Sequence, residues 1–289
     1  MIKTINYFIQ SILIYLFFLT GRILGLNLSR KIFSSLFSTI GPKFKSKLII
    51  EKNLKIFKKN ISEIEKSKII KNMWKNYGMT FIEYIFLDYF KKNNFHVTIN
   101  GEDNLKDSMN YNRPVIFVSG HFANFELMSM EITKKKINLA TIYRPLNNFF
   151  LNPFMEYVRR KYICNNQIKK GRAGVKNAIN YIHNNHSIAL MIDQRVSEGK
   201  RLLFFEHMAL TTTLPSQLAV KYHLDIVPIY ISRNENDDFK MKVYEPIKKL
   251  NNKNSEINKL DLTISLNKIL EQMIQKDPGQ WIWTHNRWK

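Results

Sequence analysis

The stretch Pro114–Met128 (PVIFVSGHFANFELM) constrains the fold more than any other part of the chain. Its early residues, Val115–Val118, form a short apolar run with β-branched side chains directly after a proline, which is typical of a buried strand. Ser119 and Gly120 interrupt that run, and good helix formers follow from Ala123. The stretch therefore predicts a central strand that passes through a tight turn into a helix.

Two polar residues of this stretch, His121 and Glu126, fall where the strand gives way to the helix. Open α/β sheets bind their ligands at that edge. A carboxylate that accepts a hydrogen bond from one imidazole nitrogen leaves the other nitrogen unprotonated, so that it can take a proton from an alcohol. The pair predicts a general base, His121, oriented by Glu126, with no side-chain nucleophile. The spacing by itself also fits a histidine that is simply hydrogen-bonded at a helix start.

The sequence GHFANFE, placed after a strand, resembles the His-x4-Asp/Glu block of the lysophospholipid acyltransferase superfamily, in particular the GHxGNWE-like form of the bacterial lipid A late acyltransferases (lauroyl or myristoyl acyltransferases). Four later stretches resemble blocks of that family: Tyr143-Arg144-Pro145, Asp193-Gln194, LFFEHMAL with its following threonines, and GQWIWTHNRWK. Arg159 lies at the spacing of an arginine that is important in the family. The chain departs from the family at Glu206, where glycine is usual, and after Gln194, where an acid and a glycine commonly follow.

The resemblance implies an O-acyltransferase that moves a fatty acyl chain from acyl-acyl carrier protein to a hydroxyacyl chain of a Kdo-bearing lipid A precursor. It implies three catalytic residues, which are His121, Glu126 and Arg159. It also implies three substrate-binding residues, which are Arg144, Asp193 and Gln194. The two arginines would stabilise the oxyanion of the thioester or hold a phosphate. Each of them also fits a surface ion pair or a solvated helix face. No metal or organic cofactor is implied, because a thioester is already activated.

The N-terminal stretch Ile5–Gly21 is free of charge and is 17 residues long, or about 25 Å as a helix, at the lower limit for spanning a bilayer. Lys3 precedes it and six basic residues follow between Arg22 and Lys47, so the positive-inside rule leaves the body of the protein in the cytoplasm. GRILGLNLS, which comes next, lacks the small-x-small site of a cleaved signal peptide. We expect an uncleaved anchor in the bacterial inner membrane, or an amphipathic helix lying on it.

Strand and helix patterns alternate from Phe95 onwards. They predict strands around Val97 and Ile99, at 115–118, 139–143, 188–192 and 226–231, with an edge hairpin partner at 240–243, and helices at 149–162, 175–182 and 215–222. We expect an α/β fold whose central sheet is mostly parallel or mixed and carries helices on both faces. With 289 residues and no dividing linker, the chain predicts a membrane anchor at 1–28 and a single acyltransferase domain at 29–289. The lead-in at 30–94 is predicted to be helical, with its aromatic stripe packed on the sheet.

The chain has 45 Lys and Arg against 23 Asp and Glu, a formal charge of +22, which favours anionic partners. The charge is a weak signal, because Lys, Asn and Ile are abundant throughout, as in AT-rich genomes. We expect an acyl-acyl carrier protein, an anionic lipid acceptor and a membrane as partners, and no nucleic acid, since no RNP, KH or zinc-finger pattern is present. The single Cys164 excludes an internal disulfide and fits a reducing compartment.

Three alternatives stay open on the sequence. The same dyad can acylate another lipid, such as a lysophospholipid or a phosphoinositide mannoside. A membrane-tethered basic binding protein fits the charge, and a catalytically silent scaffold fits the fold, although the presence of both His121 and Glu126 counts against it. The sequence lacks the P-loop, dinucleotide-binding, zinc-protease and serine-hydrolase motifs. His183 and His186 lack an acidic or cysteine partner, so no metal site is predicted.

Overall fold

The computed structural model describes residues 2–44, 47–105, 113–247 and 255–289. The helices before the first strand are α1 (Ile2–Leu24), α2 (Leu26–Phe44), α3 (Lys47–Phe57), α4 (Glu63–Glu83) and α5 (Leu87–Lys92), with a 3₁₀ turn at Tyr84–Phe86. The described part of 30–94, predicted to be helical, consists mainly of these helices. α4 begins where the Ser62 hydroxyl accepts the Glu65 N–H, an N-cap reinforced by acidic residues in the first turn.

The later elements alternate between strands and helices. They are β1 (Val97–Asn100), β2 (Ile116–Ser119), α6 (Glu126–Lys134), β3 (Leu139–Tyr143), α7 (Asn152–Val158), a π-helical turn (Arg159–Ile163), β4 (Asn166–Lys169), α8 (Arg172–His183), β5 (Ser187–Met191), β6 (Lys200–Phe204), β7 (His207–Thr211), α9 (Leu214–Tyr222), β8 (Ile226–Arg233), β9 (Phe239–Val243), α10 (Ser255–Lys276) and a 3₁₀ turn (Pro278–Gln280).

The main sheet has the strand order β1-β9-β8-β2-β5-β3-β4. Its pairs are parallel except for β8 with β9, which confirms the predicted mostly parallel α/β fold. β2 lies in the middle, and all four of its residues are buried, as its apolar run predicts. The predicted hairpin partner at 240–243 is confirmed, since β9 pairs antiparallel with β8. Its predicted edge position is wrong, because β1 pairs in parallel with the other side of β9, and β1 and β4 are the edge strands of this sheet.

The hairpin β6-β7 places Glu206 in a tight turn. The two strands are antiparallel and are joined by the two residues Phe205 and Glu206, which have φ values of 50° and 58°. Two-residue hairpin loops with positive φ at both positions suit the right-handed twist of the strands, and glycine enters that region without a steric penalty. Glycine would fit the second position of this turn without strain, whereas Glu206, which is exposed, occupies it at a conformational cost.

The helices of the lead-in pack mainly on one another. α4 lies against α2 and against the Pro278–Gln280 turn rather than mainly on the sheet, which corrects the predicted packing of its aromatic stripe. The crossing of α2 and α4 is close at Gly78, where a Cβ atom would lie 2.2 Å from the carbonyl oxygen of Phe33. The lead-in is therefore a helical layer that packs against the Pro278–Gln280 turn near the C-terminus.

α1 contains the predicted anchor and extends it in both directions. Among the described residues it is the helix that is long and apolar enough to cross a membrane. A narrow face of α1, with Ser11, Phe18 and Gly21, is buried against the body, whereas large apolar side chains on the rest of the helix are exposed. The ring of Phe18 packs against those of Phe81 and Phe154 at centroid distances of 5.1 and 5.5 Å. The helix is thus part of the folded body as well as an apolar surface.

Candidate active site

The parallel pairing of β2 with β5 brings His121 and Asp193 together. Ser119 and Met191 are register partners at the carboxyl ends of these strands, and each site residue follows two positions later. His121 Nδ1 lies 2.8 Å from Asp193 Oδ1. Asp193 Oδ2 accepts the backbone N–H of His121 and the indole N–H of Trp281, each at 2.9 Å. Three donors therefore hold this buried carboxylate in one orientation.

The electrostatics of the pair favour an ionised carboxylate and a basic imidazole. Burial raises the pKa of Asp193, but the charge and the hydrogen bonds of His121, together with the Trp281 N–H, outweigh it and lower this pKa to about 2. Burial lowers the pKa of His121, but Asp193 and, at longer range, Glu126 raise it above its ordinary value of 6.5. The ionised Asp193 keeps the proton on Nδ1, which leaves Nε2 free to act as a base.

Glu126 does not have the partner that the His-x4-Glu spacing predicts. Within the described residues the imidazole of His121 is hydrogen-bonded by Asp193, and this corrects the expected orienting role of Glu126. Glu126 Oε1 accepts from the Tyr84 hydroxyl at 2.6 Å and from Arg159 Nε and Nη2 at 2.8 and 2.6 Å. Because the helix begins at Glu126, its carboxylate lies at the helix N-terminus, where negative charge is favourable.

Arg159 lies at the start of the π-helical turn that follows α7, rather than inside a continuous helix at 149–162. Such turns are often found at functional sites. The Arg159 guanidinium carbon lies 5.5 Å from the ring centroid of Tyr143 and 6.0 Å from that of Tyr84. Burial lowers the pKa of Arg159, but Glu126 and Tyr84 raise it, so the guanidinium stays charged. Contacts with these two aromatic rings help to hold the guanidinium beside Glu126.

A cavity of about 680 Å³ opens onto these groups. His121, Glu126, Arg159, Arg144 and Gln194 line it, while Asp193 lies behind His121 as its partner. Thus the structure brings all six predicted site residues to one place. Arg144 is exposed at the end of β3, and Gln194 is half-buried. The volume is within the range of small-molecule sites, about 300–1,000 Å³.

The remaining walls of the cavity are mostly apolar. They include side chains from several elements, among them Met73, Phe81, Met128, Ile142, Leu151, Met155, Leu190 and Leu214. α1 contributes Gln10, Ile14 and Phe18 to the same lining. The sequence predicts α1 only as an anchor, whereas the structure also makes it one wall of the site.

A buried ionic cluster that the sequence analysis missed holds the turn between His121 and α6. Glu83 accepts from Arg30 Nε at 2.6 Å, from Arg233 Nη1 and Nη2 at 2.6 and 3.0 Å, and from Asn124 Nδ2 at 2.9 Å. Burial raises the pKa of Glu83, but the two arginines lower it below its ordinary value. Because these residues come from four distant segments, no local pattern in the sequence indicates them. The cluster fixes Asn124, three residues after His121.

Ala123 in the same turn has a φ of 42°, in the left-handed region. The GHxGNWE-like form has glycine at this place, and a non-glycine residue here costs about 1–2 kcal/mol. The Thr80 hydroxyl donates to the Ala123 carbonyl at 3.0 Å, and the Ala123 N–H donates to the Gln280 carbonyl at 3.2 Å. The turn is therefore held in a strained conformation by contacts on both sides.

The C-terminal GQWIWTHNRWK segment builds the back of the site. Besides the Trp281 bond to Asp193, His285 Nε2 accepts the backbone N–H of Arg195 at 2.9 Å and so holds the loop after Gln194. Arg287 donates to the Leu210 carbonyl at 2.6 Å and thereby ties the β6-β7 hairpin to the same segment. The loop after Gln194, which lacks the acid and glycine usual in the family, is thus held by the hydrogen bond from Arg195 to His285.

Comparison with known proteins identifies the family of the chain. The model of the bacterial lipid A biosynthesis acyltransferase family matches residues 2–289. The chain is 24% identical over 250 residues to the lipid A biosynthesis palmitoleoyltransferase of Escherichia coli (strain K12), an alignment that covers 83% of this chain and 78% of that protein. The same figures hold for a lipid A biosynthesis acyltransferase of Shigella flexneri. The chain therefore belongs to the bacterial lipid A biosynthesis acyltransferase family.

Proposed function

We propose that the protein transfers a fatty acyl chain from acyl-acyl carrier protein to the hydroxyl of a hydroxyacyl chain on a Kdo-bearing lipid A precursor. The observation that carries the proposal is the base of His121 and buried Asp193 at a largely apolar cavity of about 680 Å³. A base with a free Nε2 suits an alcohol acceptor, and apolar walls suit acyl chains. The family of the chain and the names of its two relatives support the same reaction class.

In the proposed mechanism, His121 Nε2 takes the proton of the acceptor hydroxyl as its oxygen attacks the carbonyl carbon of the thioester. Asp193 stabilises the imidazolium that forms, because it is ionised and bonded to Nδ1. The tetrahedral intermediate then collapses, the carbon–sulfur bond breaks, and the leaving thiolate takes the proton from His121. An ester and a free thiol result, so the histidine returns to its neutral state.

Arg159 is the proposed electrostatic partner of the oxyanion. Its Nε and Nη2 groups are bonded to Glu126 and Tyr84, and none of the described residues accepts from Nη1, which leaves Nη1 as the donor for substrate. In a partly dehydrated cavity, a fixed guanidinium that meets developing negative charge stabilises the transition state more than the ground state. Glu126 positions Arg159 and adds negative charge that favours a protonated His121.

The first prediction concerns this ion pair. Arg159→Ala should lower kcat about 10²-fold with a smaller change in KM, since the oxyanion exists only in the transition state. Glu126→Ala should lose about 10²-fold in activity, whereas Glu126→Asp should keep substantial activity because the superfamily uses either acid at this position. Steady-state kinetics of each variant and of Glu126→Ala/Arg159→Ala are the measurement.

Because the two side chains act as one unit, the double variant should lose much less than the product of the single losses. Tyr84→Phe is the matched control, since it removes a hydroxyl bonded to both Glu126 and Arg159 but leaves the ion pair between them in place. Losses that multiply fully would show that Arg159 and Glu126 act independently.

The acceptor is tested by mass spectrometry of lipid A from a bacterial host that lacks its own late acyltransferases. Expression of the protein should add one acyl chain to the precursor, and His121→Ala should add none. Unchanged lipid A, together with transfer to a lysophospholipid by the purified protein, would refute the proposed acceptor and retain the acyltransferase chemistry.

We further propose that α1 attaches the protein to the cytoplasmic face of the inner membrane. The second prediction is that the protein sediments with membranes and resists extraction by high salt, because burial of apolar side chains is not screened by ions. Ile9→Lys and Ile12→Lys, on the exposed side of α1, should increase the salt-extractable fraction. Ile64→Lys, an equally apolar exposed site on α4, is the control. Equal extraction of all three variants would refute the role of α1.

A further inference from the structure

Two basic residues lie side by side at the carboxyl ends of β3 and β4. Tyr143 and Lys169 are register partners on these parallel strands, and the Lys170 N–H donates to the Tyr143 carbonyl at 2.8 Å. Arg144 and Lys170 directly follow the last residues of these paired strands, so their backbones are neighbours at the carboxyl ends of the strands. The two cations therefore lie at the same edge of the sheet, the one that holds the site.

Arg144 and Lys170 both line the cavity and both are exposed. Over the described ranges, neither side chain has a hydrogen bond or an ion pair with another residue. Glu156 at this edge is already occupied, since it accepts from the Tyr143 hydroxyl at 2.7 Å and from Lys169 at 3.1 Å. The Tyr143 hydrogen bond, with those of Asn152 and Lys169, lowers the pKa of Glu156 to about 2. Two positive charges thus remain unbalanced at the rim of a mostly apolar cavity.

The chain continues directly from these cations into α8, which adds to the positive potential. α8 begins at Arg172 and has no acidic residue in its first turn. Its start lies close to the end of β4, because a Cβ atom at Gly174 would be 2.1 Å from the Lys169 carbonyl oxygen. The partial positive charge of a helix N-terminus falls off within the first turn, so it acts where Lys170 stands.

We propose that Arg144 and Lys170 form a phosphate clamp, which binds a phosphate group of the substrate at the cavity rim while the reacting group reaches His121. This inference rests on the proposed function and adds the residues that select its anionic substrate. A guanidinium offers two parallel hydrogen bonds to phosphate oxygens, and an ammonium adds a mobile point charge. The phosphate belongs either to the acceptor lipid or to the phosphopantetheine arm of the donor.

The third prediction is kinetic. A phosphate contact away from the reacting atoms contributes equally to the ground and transition states. Arg144→Ala and Lys170→Ala should therefore each raise the KM for one of the two substrates about tenfold or more, with kcat little changed. Varying each substrate at saturation of the other identifies the source, since only the KM of the substrate whose phosphate the clamp binds should rise. Arg144→Lys should recover part of the loss, because one ammonium cannot make the bidentate contact.

Lys176→Ala is the matched control, because Lys176 is an exposed lysine of α8 that does not line the cavity. An unspecific effect of net charge would change its KM as much as that of Lys170→Ala. Wild-type KM values for both substrates in Arg144→Ala/Lys170→Ala would overturn the clamp and leave the proposed function standing.

A binding measurement tests the clamp without relying on turnover. Calorimetry with a short-chain phosphatidic acid, which carries a phosphate monoester, should show affinity about tenfold or more weaker for Arg144→Ala/Lys170→Ala than for Lys176→Ala. Equal affinities would overturn the clamp. A wild-type protein that binds the probe but transfers no acyl chain would instead refute the proposed function.

Discussion

His121→Ala is expected to abolish acyl transfer to the level of the uncatalysed reaction. The variant loses the proposed base for the acceptor hydroxyl and the proton donor for the leaving thiolate, and no other described side chain is bonded to Asp193 as an alternative base. The measurement is single-turnover transfer from a radiolabelled acyl carrier protein, at enzyme in excess over donor. This is the largest effect expected in the protein.

The fold of His121→Ala should persist. The His121 side chain is 18% exposed, and Asp193 keeps two donors after its loss, the backbone N–H of residue 121 and the indole N–H of Trp281. Thermal unfolding close to that of the wild type is therefore the control. Turnover near the wild-type rate in a well-folded His121→Ala protein would remove the histidine from the mechanism.

Asp193→Asn has the second largest expected effect, a loss of about 10³-fold or more in kcat. The asparagine has no charge to stabilise the imidazolium, and its NH₂ group can turn to Nδ1 and leave the proton on Nε2, which is the wrong tautomer for a base. Glu126→Gln is the matched control, since it also neutralises one carboxylate but leaves the bond from Asp193 to His121 in place. It should lose distinctly less activity than Asp193→Asn. The opposite ranking would restore Glu126 as the orienting residue.

The pH profile gives an independent test of the same pair. The base must be neutral, so kcat/KM should be high above the pKa of His121 and fall as the pH drops through it. In the wild type that acidic limb should lie above pH 6.5, because Asp193 and Glu126 outweigh the effect of burial. In Asp193→Asn, the charge of Asp193 no longer offsets the effect of burial on His121, so the pKa of the imidazole should fall and the acidic limb should move to lower pH. A limb that stays in place would show that another group controls the profile.

Parts of the fold could be predicted because their signals are local. β2 is a β-branched run bounded by proline and glycine, and β3 has the predicted bounds Leu139–Tyr143. β4 gave no such signal, since Ile168 is the one buried residue of its four. Its strand conformation depends on pairing with β3, which its own residues do not indicate. The position of β9 inside the sheet likewise depends on a partner that lies more than a hundred residues earlier in the chain.

The sequence by itself indicated an acyltransferase, through its resemblance to the family, and the residues proposed for the site. His121, Glu126 and Asp193 follow apolar runs, and the end of such a run can be recognised from the local sequence. These residues therefore indicate the carboxyl edge of a parallel sheet, where ligands bind. The tertiary structure decided which acid holds His121. Asp193 is 72 positions away and reaches the imidazole because β5 pairs with β2, whereas Glu126 begins a helix and meets Arg159 and Tyr84. Spacing along the chain fixes only local geometry, and the order of strands in the sheet selects the partner.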